Sequence, residues 1–176
     1  MMRNTDENSK ASDAARKASD TVSKAADAAC KASDAACKAS EKSMLRVMAA
    51  DENLQEVIDF VEEHLENMEA SMKATMQVDI SVEEIFVNIA HYAYAPEVGE
   101  AVIEVEEDTE KGEISIIFRD RGIPYNPIAK EDPDLTLSAE EREIGGLGIF
   151  MVKKNMDYMK YEYSDGQNIL TIVKRL

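Results

Sequence analysis

From residue 44 onward the apolar positions change period several times, and each change predicts an element. Ser43–Ala49 (SMLRVMA) reads as a short strand. Leu54, Val57, Ile58, Val61, Leu65 and Met68 then recur at helical spacing, predicting an amphipathic helix over Asn53–Glu69. Asp51 or Asn53 would supply its N-cap, and Glu56, three residues after Asn53, would complete a capping box. A second helical pattern runs from about Lys73 to Tyr94, with Val78, Val82, Ile85, Phe86 and Ile89 on its apolar face. Ala101–Glu106 and Glu113–Arg119 are strands joined across a polar turn at Glu107–Gly112, which together form a hairpin. Asp120–Pro127 is dense in turn formers, and Ile128–Glu143 is a polar stretch with Pro133 and little periodicity, as expected of a lid or binding loop. Gly145–Gly148 opens a further helix, Ile149–Met156, and a second hairpin closes the chain: Tyr158–Tyr163, a turn at Gly166, and Asn168–Lys174. The order predicts an α/β (α+β) two-layer sandwich, a mixed sheet with helices packed on one face.

The first 43 residues follow a different rule. Lys10, Lys17, Lys24, Lys31 and Lys38 recur with a period of seven. Ala11, Ala14, Ala18, Ala25, Ala28, Ala32, Ala35 and Ala39 keep the alternating three-four spacing of a heptad seam, with Thr21 the one gap. Each of Asp13, Asp20, Asp27 and Asp34 lies four residues before a lysine, the favourable order on a helix, worth about 0.2–0.5 kcal/mol per pair. Helix is therefore the expected local state of this N-terminal heptad extension. An alanine seam removes little apolar area, so the segment reads either as a slender coiled coil or partner-binding helix, or as a low-complexity helical extension. Cys30 and Cys37, seven apart on one face, could cross-link two parallel tails in a homodimer or bind metal, but no His or further Cys joins them, and small apolar filler is the favoured reading.

Charge sharpens that division. The 176 residues carry a net −16. Residues 1–43 hold 8 Lys/Arg and 7 Asp/Glu, and residues 44–176 hold 12 and 29, so the second part alone carries −17. We therefore divide the chain into an extension, 1–43, and a domain, 44–176. Such acidity argues against nucleic acid and anionic lipid as partners. The absence of a long apolar run and of a signal-like start, with only two cysteines, makes the cytoplasm the expected compartment and a membrane span unexpected.

Three places carry candidate chemistry. Glu84 and Asn88, four apart on the second helix, share a face. A carboxylate beside a carboxamide suits a hard cation or an attacking hydroxyl, although Glu and Asn at this spacing are usually just solvated helix surface. Asp120-Arg121-Gly122-Ile123-Pro124 follows an apolar strand, where an Asp could accept from a ligand's amino group or simply start a turn. Gly145-Gly146-Leu147-Gly148 leads into a helix, where backbone N–H groups can face phosphate. It is neither a Walker A loop nor a Rossmann fingerprint.

The order of all three resembles the N, G1 and G2 boxes of the GHKL ATPase/kinase superfamily, most closely the small anti-sigma factor serine/threonine kinases of bacteria. The matching segments are VEEIFVNIAHYAY (Val82–Tyr94), RDRGIPYNP (Arg119–Pro127), GGLGIFMVKKNMDYMKYEY (Gly145–Tyr163) and GQNILTIVK (Gly166–Lys174). The resemblance spans roughly residues 44–176 and implies a Bergerat-type histidine-kinase-like ATPase fold that binds Mg²⁺-ATP under a lid. By its pattern Asp120 meets the adenine amino group, with Thr171 supporting it, and Gly122, Gly145, Gly146, Leu147 and Gly148 shape the nucleotide pocket. Asn88 ligates Mg²⁺, and Glu84 is the general base for a substrate serine. The implied partners are a STAS-type anti-anti-sigma protein and a sigma factor, and the alternative is an ATP-binding module that sequesters its partner without phosphorylating it. Arg142, just before the glycine loop, reads either as a lid cation for phosphate or as surface. The chain departs from the pattern in placing Tyr92 four residues after Asn88 and His91 one place earlier. His64, followed by Leu65-Glu66-Asn67, lacks the context of a phosphoacceptor histidine, which argues against a two-component sensor kinase.

Overall fold

The computed structural model describes residues 43–129 and 147–176. Residues 1–42 of the heptad extension, with Cys30 and Cys37, lie outside the described residues. So do Arg142, Gly145, Gly146 and most of the polar segment after Ile128.

The apolar periods become elements nearly where they fall. Strand β1 is Ser43–Met48, and a short 3₁₀ turn, Asp51–Asn53, leads into helix α1, Leu54–Asn67. Helix α2 is Met72–Asn88. Strands β2, Glu100–Asp108, and β3, Glu113–Asp120, form the first hairpin. Helix α3 is Leu147–Asn155, and β4, Tyr158–Ser164, pairs with β5, Gln167–Arg175, in the second. Asp165 and Gly166 both have positive φ, which makes this the two-residue turn whose twist matches that of the strands it joins.

The five strands form one sheet in the order β1-β2-β3-β5-β4, and all four pairings are antiparallel. The expected mixed sheet is thereby corrected, and the reason is topological. Helix α3 carries the chain from β3 to a strand running in the same direction, β4. The tight turn then folds β5 back between them, so the two like-directed strands never pair. Alternation decides what faces inward. Ile114, Ile116 and Phe118 of β3, with Leu170 and Ile172 of β5 and Ile103 and Val105 of β2, pack against Val57, Val61 and Leu65 of α1 and Val78, Val82, Ile85 and Phe86 of α2. Helices thus cover one face of the sheet, and the core lies between the two layers.

Two local expectations change. Asn53 does not cap α1: its side-chain amide donates to the Met48 carbonyl at 2.9 Å, anchoring the helix start to the end of β1. Asp51 is likewise drawn away, to His91. Helix α2 is capped by Ser71, whose hydroxyl accepts from Ala74 N, and its α-helical part stops at Asn88. A π-helical turn, Ile89–Ala93, follows, a geometry that recurs at functional sites. In this chain it swings Ile89, Tyr92 and Ala93 toward a cavity.

Candidate functional site

The cavity, about 520 Å³, opens between the end of α2, the start of α3 and the β3–β5 part of the sheet. That size suits a drug-sized or nucleotide-sized ligand. Its inner wall is apolar, built by Ile85, Ile89, Phe118 and Leu170, with Ile149 from α3 and Pro124 and Pro127 from the turn after β3. Asp120 is its one charged lining residue among those described.

Asp120 ends β3 on the inward-facing parity and is buried, 7% exposed. Its Oδ1 accepts from Gly122 N at 2.9 Å and from Asn168 Nδ2 at 2.7 Å, while Oδ2 has no partner among the described residues. A carboxylate held by two donors on one oxygen keeps the other oxygen as a fixed acceptor. Gly122 is required by space, because any side chain there would run into the Ala93 carbonyl.

Asn168 ties this end of the cavity together. Besides Asp120, its Nδ2 donates to the Ile123 carbonyl at 3.1 Å. Its Oδ1 accepts from Tyr161 hydroxyl at 2.7 Å and Tyr125 N at 3.2 Å. Burial, reinforced by the nearby Asp120 charge, raises the Tyr161 phenol above its ordinary value, so it remains a donor. Sequence reasoning put Thr171 here instead. The register pairs Thr171 with Ile117 and Lys160, on the parity opposite to Asn168, Leu170 and Ile172, so Thr171 lies on the other face of β5 and does not line the cavity. Counting back by twos from buried Leu170 and Ile172 would have found Asn168.

At the outer rim Asn88 lines the cavity and Glu84 stands one turn earlier on α2. Asn88 Nδ2 donates to the Glu84 carbonyl at 2.6 Å, and its Oδ1 has no partner among the described residues. The Glu84 carboxylate lies against Gly148, so closely that a Cβ at 148 would overlap it. Gly148 therefore lets α3 meet α2 at this point. Glu84 itself is half-buried beside the cavity rather than in its wall. Leu147, the first residue of α3, is exposed. The two histidines lie elsewhere: His64 Nδ1 sits 2.5 Å from Glu107 Oε1, and His91 Nε2 2.9 Å from Asp51 Oδ2. Neither lines the cavity. No cluster of three or more His, Cys, Asp or Glu able to hold a metal occurs among the described residues. No helix among them is long and apolar enough to cross a membrane.

Residues 47–174 match the family model described as the histidine kinase-like ATPase domain. The serine/threonine-protein kinase BtrW of Bordetella bronchiseptica is 26% identical over 102 residues, 58% of this chain and 71% of that protein. The crystal structure of the RsbU and RsbW domains of Rv1364c from Mycobacterium tuberculosis superposes with a TM-score of 0.53 at 17% identity, over 76% of this chain and 32% of that one. The chain thus spans about a third of that structure, with which it shares the fold.

Proposed function

The chain belongs to the histidine kinase-like ATPase domain family, and from that premise we propose that it is an ATP-dependent serine/threonine protein kinase acting as an anti-sigma factor, with a serine of a STAS-type anti-anti-sigma protein as acceptor. The observation that carries this reading is the buried Asp120, with two donors on one oxygen and none among the described residues on the other, in an apolar cavity that Asn88 also lines. A fixed acceptor in an apolar slot suits the amino group of adenine. The similarity to a protein named as a serine/threonine kinase supports the reaction class.

The residues present fit the Mg²⁺ that such a reaction requires, since the tethered amide of Asn88 keeps a neutral oxygen available. When bound, the ion neutralises phosphate charge. No Lys or Arg lines the cavity among the described residues, so the phosphates depend on that ion, on backbone N–H groups of the glycine segment, and on a lid cation such as Arg142. Glu84 takes the serine proton as the serine oxygen bonds to the γ-phosphorus and the bond to ADP breaks. The surplus carboxylates of residues 44–176 are free to face a basic surface of a sigma factor.

The position of Glu84 outside the cavity wall favours a second reading, an ATP-binding module that sequesters its partner without phosphorylating it. Incubation with Mg²⁺, γ-labelled ATP and STAS proteins encoded by the same genome separates the two. Label on a partner serine, lost in Glu84→Ala, is the expected result. Nucleotide binding without transfer to any candidate would leave the sequestering module.

A further inference from the structure

Residues 121–123, at the start of the turn after β3, have no backbone donor to spare. Gly122 N–H is taken by Asp120 Oδ1, and Ile123 N–H goes to the Ala93 carbonyl at 2.8 Å. Arg121 N–H donates to the hydroxyl of Tyr94 at 2.7 Å. Three consecutive amides are thus bound, two of them by the segment that ends the π-helical turn. The Tyr94 hydroxyl in turn donates to the Glu100 carbonyl at 2.7 Å, at the first residue of β2. One phenol oxygen therefore joins the end of α2, the start of β2 and the residue immediately after Asp120.

We propose that Tyr94 is a positioning residue for nucleotide recognition: its hydroxyl fixes the 120–123 turn so that the free oxygen of Asp120 faces the cavity. This rests on the reading of the cavity as an adenine-nucleotide site. The hydroxyl is well suited to the task. Burial raises its pKa above the ordinary phenol value, with the Asp120 and Glu100 charges reinforcing the shift, so it stays protonated and serves as donor and acceptor at once. The ring is held by shape, since it fills the space that a side chain at Gly99 would need. Replacing Tyr94 by Phe keeps that packing but leaves the Arg121 N–H and the Glu100 carbonyl to mobile water in place of a fixed hydroxyl. A turn relieved of one of its three anchors can rotate the Asp120 carboxylate by a few tenths of an ångström, enough to spoil a hydrogen bond to a ligand's amino group.

The test compares two nucleotides that differ only along the base edge Asp120 would read, in the exocyclic 6-group and the proton on the neighbouring N1. ATP carries an exocyclic amino group, and inosine triphosphate carries an oxygen there. Calorimetric titration of the wild-type protein with each, in Mg²⁺, should show ATP binding more tightly. Tyr94→Phe should weaken ATP by roughly tenfold and leave inosine triphosphate within about twofold. In Asp120→Asn the ATP preference should already be lost, and adding Tyr94→Phe should change little more, because the two residues act through one contact. Gly99→Ala, which displaces the ring, should mimic Tyr94→Phe. An equal loss for both nucleotides, or no change for either, would overturn the positioning role while leaving the nucleotide site standing. A wild-type protein that binds neither nucleotide would remove the site and the proposal with it.

Discussion

Two aspartates, the buried Asp120 in the cavity wall and the half-buried Asp79 on α2, show how differently this fold treats a carboxyl taken from water. Asp120 is surrounded by donors that the sheet and the following turn deliver to one of its oxygens. Asp79, on α2, has an Oδ1 that is buried without a hydrogen bond among the described residues. Burial, with the charge of Glu62 on α1 adding to it, pushes Asp79 up to about 6. Donors make a carboxylate tolerable in an apolar place, and desolvation beside a like charge does the opposite. The difference teaches which carboxyl the fold is arranged around. Glu84 stands between the two, its carboxylate packed on Gly148 at the rim.

The strongest way to break the contrast is to remove the residue that creates it. Asn168→Ala leaves Tyr161 hydroxyl, Tyr125 N–H and one side of Asp120 without their partner. It should cost about 3 kcal/mol of stability, read from denaturant unfolding, and should weaken ATP as well. Retention of full stability would mean that the network is surface decoration. Gly148→Ala acts on the intermediate case. Its Cβ would push the Glu84 carboxylate aside, which a flexible side chain permits, so unfolding should change by less than about 1 kcal/mol. Labelled-phosphate transfer should nevertheless fall by roughly tenfold or more, because the base is moved from its place. Transfer at the wild-type rate would separate Glu84 from the chemistry.

Asp79→Asn gives the smallest effect and the clearest sign. Because the folded-state value, about 6, lies above the ordinary 3.8, the unfolded chain releases its proton first as pH rises. The wild-type protein therefore loses stability between about pH 4 and pH 6, and the loss is complete above the folded value. Asparagine does not titrate, so the melting temperatures of variant and wild type should draw apart over that window. At pH 7 the variant should be the more stable by about 1 kcal/mol after solvent screening. A constant difference from pH 4 to pH 7 would show that Asp79 is not the group responsible.

How much could be read in advance depends on how local the cause is. The helical stripe Val78–Val82–Ile85–Phe86–Ile89 and the alternation of Ile114, Ile116 and Phe118 are periodic, and periodicity needs no knowledge of partners. Both became core. The Asp165-Gly166 turn was legible for the same reason, since two positive φ values are a property of the turn itself. The capping box at Asn53 failed because a tertiary acceptor, the Met48 carbonyl, competed for the side chain. The resemblance pointed to Thr171, whereas the register puts Asn168 beside Asp120 and Thr171 on the other face of β5. Tyr94 offered no signal at all, since its role depends on β2 and the turn after β3 arriving at the same oxygen.

The amino-acid sequence alone determined the five strands and three α-helices of residues 43–129 and 147–176, the faces they bury, and the positions of Glu84, Asn88, Asp120 and Gly148 along them. Each of these follows from spacing along one helix or strand. Tertiary structure alone decided the antiparallel sheet, the pairing of β5 beside β3 that brings Asn168 to Asp120, and the three-point fixation of the 120–123 turn. Those depend on which strand folds back between two others and on hydrogen bonds between residues 27 to 48 positions apart, which no local pattern encodes.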